Sequence, residues 1–222
     1  MKCDNLDLGD IVPKRRGSVG GVLDDKAIIC GGWADDIHYT NGCYVIGHPT
    51  KTKTMLQNRS NAAAVVLNKE SGSKLWIVGG EDDKRFFRST EFIKLDNSEA
   101  LKGPDLNISI TKHCAVKVNE SAIFFIGGEQ NETWTNKTWI VNPQKNFEMT
   151  KGPEMHKIRM YPACMLTKFN GEPQIIVAGG KGEHHGLLKS TEILNVKPYV
   201  TNEWEIGKIL KTFKYNTRTI LE

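Results

Sequence analysis

The 222-residue chain has no apolar run approaching the roughly 18 residues that a membrane helix requires, which excludes a helical membrane span. No long stretch keeps a helical period. No Cys-x-x-Cys pair occurs, and the five cysteines, Cys3, Cys30, Cys43, Cys114 and Cys164, fall at irregular spacing. An odd, irregular set is not a disulfide framework, and free buried cysteine is the expectation. No glycine-rich loop leads into a helix opening on Lys-Ser or Lys-Thr, so the glycines do not form a phosphate cradle. A dense basic stripe is missing too. The net charge is only +4, and its main cluster, Lys208, Lys211, Lys214 and Arg218, reads as a solvated edge rather than a nucleic-acid surface. With no Pro/Gly/Ser-rich linker and no low-complexity tract, the chain reads as one domain.

What the chain does have is four Gly-Gly pairs: Gly31-Gly32, Gly79-Gly80, Gly127-Gly128 and Gly179-Gly180. Each follows a short apolar run, namely Ala27-Ile28-Ile29-Cys30, Leu75-Trp76-Ile77-Val78, Ile123-Phe124-Phe125-Ile126 and Ile175-Ile176-Val177-Ala178. A period near 50 residues is the mark of a repeat architecture. A second apolar run precedes each pair, such as Ala62-Ala63-Ala64-Val65-Val66-Leu67. A third follows, and in two units it begins with the same string, Ser89-Thr90-Glu91 and Ser190-Thr191-Glu192. A fourth ends in Lys102-Gly103-Pro104 and again in Lys151-Gly152-Pro153. Short runs rich in β-branched and aromatic residues, bounded by turn formers, are strands. Each unit is therefore expected to be four antiparallel strands, A to D. A lone sheet of this kind cannot bury both faces, whereas sheets stacked radially can, which predicts an all-β propeller. The glycine pair closes strand B, where positive φ and close backbone approach are needed.

The chain resembles the kelch-repeat family on these glycine pairs, on the Ser-Thr-Glu strand starts, on Trp139 in strand C and Phe147 at strand D, and on Trp204 at the turn into strand D. The first unit departs from it, with Thr54-Met55-Leu56-Gln57 lacking a strand-D aromatic. The resemblance implies a kelch-type β-propeller with repeats at about 14–57, 61–106, 110–155 and 159–207. Residues 1–9 then read as a leftover strand D and 209–222 as a leftover strand A. Such open sheet edges are prone to self-association.

Propellers of this family more often bind partners than catalyse reactions. No catalytic constellation is legible, so the chain is expected not to be an enzyme and to carry no cofactor or metal. Tyr39 and Cys43 invite comparison with the copper- and modified-tyrosine oxidases built on the same repeat, but the other ligands have no match. Asp35-Asp36 and Glu81-Asp82-Asp83, in the loops that follow glycine pairs, read as polar turns. Binding is expected on the face formed by the B–C and D–A loops. That face carries Arg16, His38, Tyr39, Arg85, Phe86, Phe87, Trp134, Arg159, Tyr161 and His184. Aromatics and arginines dominate interface hot spots, and arginine favours an acidic segment. Of Phe86 and Phe87, one must face outward if the loop is strand-like. The implied partner is a protein or peptide, not nucleic acid or membrane. Relatives of this kind often serve as substrate adaptors of cullin-type ubiquitin ligases, a role the resemblance extends to this chain. The free cysteines expected above imply a reducing, cytoplasmic compartment. The alternatives are a kelch-type enzyme and a secreted adhesion or carbohydrate-binding module. Five Asn-x-Ser/Thr sequons, at Asn58, Asn107, Asn119, Asn131 and Asn136, keep an extracellular setting open.

Overall fold

A computed structural model describes residues 15–34, 38–48, 52–68, 72–196 and 203–207. The expected leftover strands at 1–9 and 209–222, the pair Asp35-Asp36 and the C-terminal basic cluster lie outside the described residues. The fold is all-β and built of antiparallel sheets.

Four four-stranded sheets follow one another along the chain. Unit I contains β1 (Val19–Leu23), β2 (Lys26–Cys30), β3 (Gly42–Val45) and β4 (Thr52–Thr54). Unit II contains β5 (Ala63–Leu67), β6 (Lys74–Val78), β7 (Thr90–Ile93) and β8 (Leu101–Lys102). A two-residue strand, β9 (Ile110–Thr111), leads into unit III, which holds β10 (Cys114–Asn119), β11 (Ala122–Ile126), β12 (Glu129–Gln130), β13 (Thr133–Trp134), β14 (Thr138–Asn142) and β15 (Glu148–Lys151). Its main sheet is β10-β11-β14-β15, and β9, β12 and β13 make a small extra sheet inside what the sequence suggested was loop. Unit IV holds β16 (Ala163–Phe169), β17 (Glu172–Ala178), β18 (Thr191–Asn195) and β19 (Trp204–Ile206).

The apolar runs before the glycine pairs are continuous because the middle sheets are covered on both sides. From β6, Leu75 and Ile77 pack toward unit I, among Leu23, Ile28, Cys30 and Val45. The alternating Trp76 and Val78 pack toward unit III, against Ile123, Phe125 and Val141. From β11, Phe124 and Ile126 then turn to unit IV, against Ile175, Val177, Leu194 and Trp204. The period-2 alternation of a strand thus feeds two cores at once.

The glycine pairs are where neighbouring units touch. A Cβ at Gly79 would sit 2.1 Å from the carbonyl oxygen of Ile110. The amide of Gly80 donates to that same oxygen at 2.8 Å. Gly32 donates likewise to Arg59 O (2.8 Å) and Gly128 to Arg159 O (2.7 Å). All four of these glycines have positive φ, so a side chain there meets both backbone strain and a clash.

The cysteines are not free, which corrects the expectation from their number. Cys30 and Cys43 form a disulfide, as do Cys114 and Cys164. The physical reason is positional. Cys30 ends β2 and lies directly opposite Cys43 at the head of β3. Cys114 opens β10 and Cys164 is the second residue of β16, the first strands of the main sheets of consecutive units, and the repeat sets those strand starts side by side with Cα atoms 6.1 Å apart. Cys3, the odd member, lies outside the described residues.

Candidate partner-binding face

On the face where strand B ends, each unit repeats one three-residue ladder rung. The residue after the glycine pair bridges a residue of the D–A connection on one side and a residue of the B–C loop on the other. The rungs are Arg16–Trp33–Tyr39, Ser60–Glu81–Phe86, Thr111–Glu129–Trp134 and Met160–Lys181–Leu187. Tyr39, Phe86 and Trp134, chosen from the sequence as aromatic loop residues, thus occupy one equivalent position. Leu187 is the fourth member and is 62% exposed. Sequence reading passed over it because it is not aromatic, although it stands six or seven residues past its glycine pair, as the other three do.

Toward the inner strand starts, Gly17, Asn61, Lys112 and Tyr161 form a second equivalent set, each with φ between 53° and 66°. Their backbones are linked in series: Asn61 N–H donates to Gly17 O (2.8 Å), Lys112 N–H to Asn61 O (2.8 Å), and Tyr161 N–H to Lys112 O (2.7 Å). They line a shallow recess of about 230 Å³ together with Ser18, Ala62, His113 and Pro162. Lys112 Nζ reaches Glu129 at 2.8 Å and Glu81 at 3.0 Å, while Asn61 Nδ2 donates to Glu81 at 2.8 Å. Burial lowers the Lys112 pKa, but the hydrogen bonds to Glu129 and Glu81 outweigh it and hold the ammonium above its ordinary value. Glu81 is therefore a buried ion-pair partner rather than the solvated turn residue the sequence suggested. Burial also raises the Tyr161 hydroxyl, which stays neutral and able to donate.

The expected site residues divide into two groups. On the surface stand Arg16, His38, Arg85, Tyr161 (46% exposed) and His184, the last in a single 3-10 turn, Glu183–His185. Tyr39, Phe86 and Trp134 are half-buried. Arg16 lies over the Trp33 ring at 4.7 Å, Trp33 packs on Tyr39 at 4.3 Å, and Lys112 lies over Phe86 at 5.1 Å.

Phe87 and Arg159 leave the face, and both are corrections. Phe87 is 4% exposed and held between Arg59 (4.9 Å) and Arg85 (5.2 Å). Arg159 is fully buried. Its guanidinium binds Glu192 Oε1 through Nε (3.1 Å) and Nη2 (3.0 Å), and Nη1 donates to Gly179 O (2.8 Å) and Ser190 O (2.9 Å).

Arg59 repeats this arrangement with Glu91, Gly79 O and Ser89 O. The repeated Ser-Thr-Glu string is thereby explained. Its serine and glutamate clamp a buried arginine, and the second carboxylate oxygen accepts a backbone N–H from the end of the preceding unit: Leu56 to Glu91 (2.7 Å), His156 to Glu192 (2.6 Å). Unit I keeps the arginine, Arg15, but sets it over Tyr44 at 4.7 Å. Unit III replaces the pair with Ile110 and Trp139, which pack in the same core.

No group of three or more His, Cys, Asp or Glu side chains that would hold a metal occurs among the described residues. Cys43, weighed beside Tyr39 in the oxidase comparison, is taken up by its disulfide. No family model matches the chain, and no curated protein is significantly similar to it.

Proposed function

We propose that the chain is a kelch-type propeller segment that binds a protein or peptide on the face described above. The observation that supports this most is the repeated rung. Four units present Tyr39, Phe86, Trp134 and Leu187 at one equivalent position, beside the exposed Tyr161. Aromatic anchors with nearby charge are the composition of interface hot spots. The central recess, at about 230 Å³, is smaller than typical small-molecule pockets of roughly 300–1,000 Å³. A broad face with a shallow centre suits a macromolecular segment better. Lys112 is enclosed by two glutamates, whereas Arg16 and Arg85 stand exposed at the periphery, Arg85 with Asp82 at 3.8 Å. An exposed guanidinium can exchange such a contact for a partner's carboxylate, which suits an acidic segment.

The two disulfides favour an oxidising setting over the reducing cytosol. A cell-surface or secreted binding module is on that ground the better reading than an adaptor of a cytosolic ubiquitin ligase. Among the described residues no helix is long and apolar enough to cross a membrane.

Arrays of acidic and basic peptides probed with the labelled chain test the reading. Acidic peptides are expected to be retained. Phe86→Ala or Tyr161→Ala is expected to weaken binding by about 2 kcal/mol, near thirtyfold, and Arg16→Ala with Arg85→Ala to remove the acidic preference. Leu101→Ala, an exposed change on β8, serves as the control. Undiminished binding by all the folded face variants would reject this surface.

A further inference from the structure

We propose that Asn58, Asn107, Asn119 and Asn131 carry N-linked glycans and that the fifth sequon, Asn136, does not. Sixteen Asn and 25 Ser plus Thr occur in the chain. At random placement they give roughly two Asn-x-Ser/Thr acceptors, against five present. Excess alone is a compositional fact, and the structure adds two independent observations.

The first is the pair of disulfides, which form in the compartment where N-glycans are attached. The second is the state of each acceptor asparagine. Asn58, Asn107, Asn119 and Asn131 are all exposed. In two cases the amide is oriented by its oxygen. Asn119 Oδ1 accepts the backbone N–H and the hydroxyl of Ser121, both at 2.9 Å, at the tip of the β10–β11 hairpin. Asn131 Oδ1 accepts the backbone N–H of Ser109 at 3.0 Å. The oxygen faces the protein in each, and the nitrogen is left for the sugar.

Asn136 is built in the opposite way. It is half-buried, and its Nδ2 donates to Met155 O at 2.7 Å while its own carbonyl accepts the Met155 N–H at 2.9 Å. Unit I contains the same two-way clamp, Asn41 with Met55, at 3.0 and 2.8 Å. Asn41 is not part of a sequon, so the clamp exists independently of any sugar. A glycan on Asn136 would replace one of the two Nδ2 hydrogens and set a sugar against the half-buried contact with Met155 O.

The chemistry needs one co-reactant, an oligosaccharide joined through pyrophosphate to a polyprenol lipid. Asn Nδ2 forms a bond to C1 of the first sugar and gives its proton to the transferase. The C1–O bond breaks, and the lipid pyrophosphate leaves with the electron pair. Transfer occurs on the unfolded chain, and the fold then decides which sugars are tolerated.

The inference rests on the oxidising setting proposed above, so the experiment reads the two separately. The full chain is secreted from insect cells behind a signal peptide, and the protein is also immunoprecipitated from its natural source. Both are treated with peptide-N-glycosidase in H2¹⁸O and mapped by mass spectrometry, with maleimide labelling before reduction. The expected result is ¹⁸O-labelled Asp at positions 58, 107, 119 and 131, none at 136, and no maleimide on Cys30, Cys43, Cys114 or Cys164. Asn119→Gln should remove one glycan step from the intact mass, and Asn136→Gln should leave the glycan number unchanged. Blocked thiols without glycan overturn the glycan proposal and leave the oxidising setting standing. Reactive thiols without glycan in the natural protein overturn both. Labelling of Asn136 equal to the other four overturns the structural selection.

Discussion

Units II and III differ from unit IV in one respect that the strand-B sequences conceal. Leu75-Trp76-Ile77-Val78, Ile123-Phe124-Phe125-Ile126 and Ile175-Ile176-Val177-Ala178 are nearly interchangeable as strings. In the first two every side chain is buried. In the third only Ile175 and Val177 are, while Ile176 is half-buried beside Met165, its 47%-exposed partner across β16 and β17. The glycine contact stops at the same place. The first glycine in units I to III abuts a carbonyl of the following unit, whereas among the described residues a Cβ at Gly179 would meet nothing nearer than Leu188 O at 3.6 Å. An apolar run therefore states that a strand is able to be sandwiched. Whether it is sandwiched depends on a neighbour, which a repeat protein supplies from outside the unit.

The largest expected effect follows from that contrast. Phe125→Ala empties a fully buried site between units II and III and should cost about 3–5 kcal/mol in a urea titration. Ile176→Ala, at a half-buried position of unit IV, should cost about 1–2 kcal/mol, since less apolar area is lost and no closed cavity is left. Equal losses would break the contrast and mean that the outer face of unit IV is covered in solution.

A second test should erase the difference between the units. The carboxylates of Glu91 and Glu192 tie each sheet to the unit before it, and units II and IV both have such a neighbour. Glu91→Ala and Glu192→Ala each leave a buried guanidinium without its counter-charge, at a cost of roughly 3 kcal/mol. The Arg59 guanidinium is already held below its ordinary pKa by burial, opposed mainly by Glu91. A much smaller loss for Glu192→Ala would show that unit IV is loosely attached on both sides.

The features legible in the sequence were those that every unit must repeat. Glycine pairs, strand-length apolar runs and the Ser-Thr-Glu string report backbone geometry and packing that recur four or two times. The failures concern residues whose fate depends on which other unit they meet. Arg159 and Phe87 look like surface residues because arginine beside a turn usually is one, and only the register with Glu192 and Arg59 draws them inward. Cys114 and Cys164 are 50 residues apart, and nothing local marks them as neighbours. The Glu81–Lys112–Glu129 cluster joins two loops of different units and has no sequence signal at all. Leu187 stands, like Tyr39, Phe86 and Trp134, six or seven residues past its glycine pair, a signal carried by spacing rather than by side-chain type.

The smallest expected effect distinguishes unit III from the rest at another equivalent position. Ser18, Ala62, His113 and Pro162 each follow the inner residue of the recess. Only His113 titrates. Its ring is 6% exposed, lies edge-on to Phe125 at 5.5 Å, and has no hydrogen-bond partner on either nitrogen. Burial lowers its pKa from 6.5 to about 3. The native state therefore holds the imidazole neutral while the unfolded chain takes up a proton below pH 6.5. The stability contributed by neutral His113 is complete above that pH and is lost as the pH falls from 6.5 toward 3, at roughly 1 kcal/mol per pH unit. The other titrating groups are common to the native chain and to a variant without the imidazole, so the difference between the two from pH 6.5 to 5 isolates His113. Unfolding free energies measured across that interval should fall for the native chain and stay more nearly level for His113→Phe, which keeps the ring contact without the proton. Parallel slopes for the two proteins would show that His113 finds a partner in solution and that its burial is incomplete.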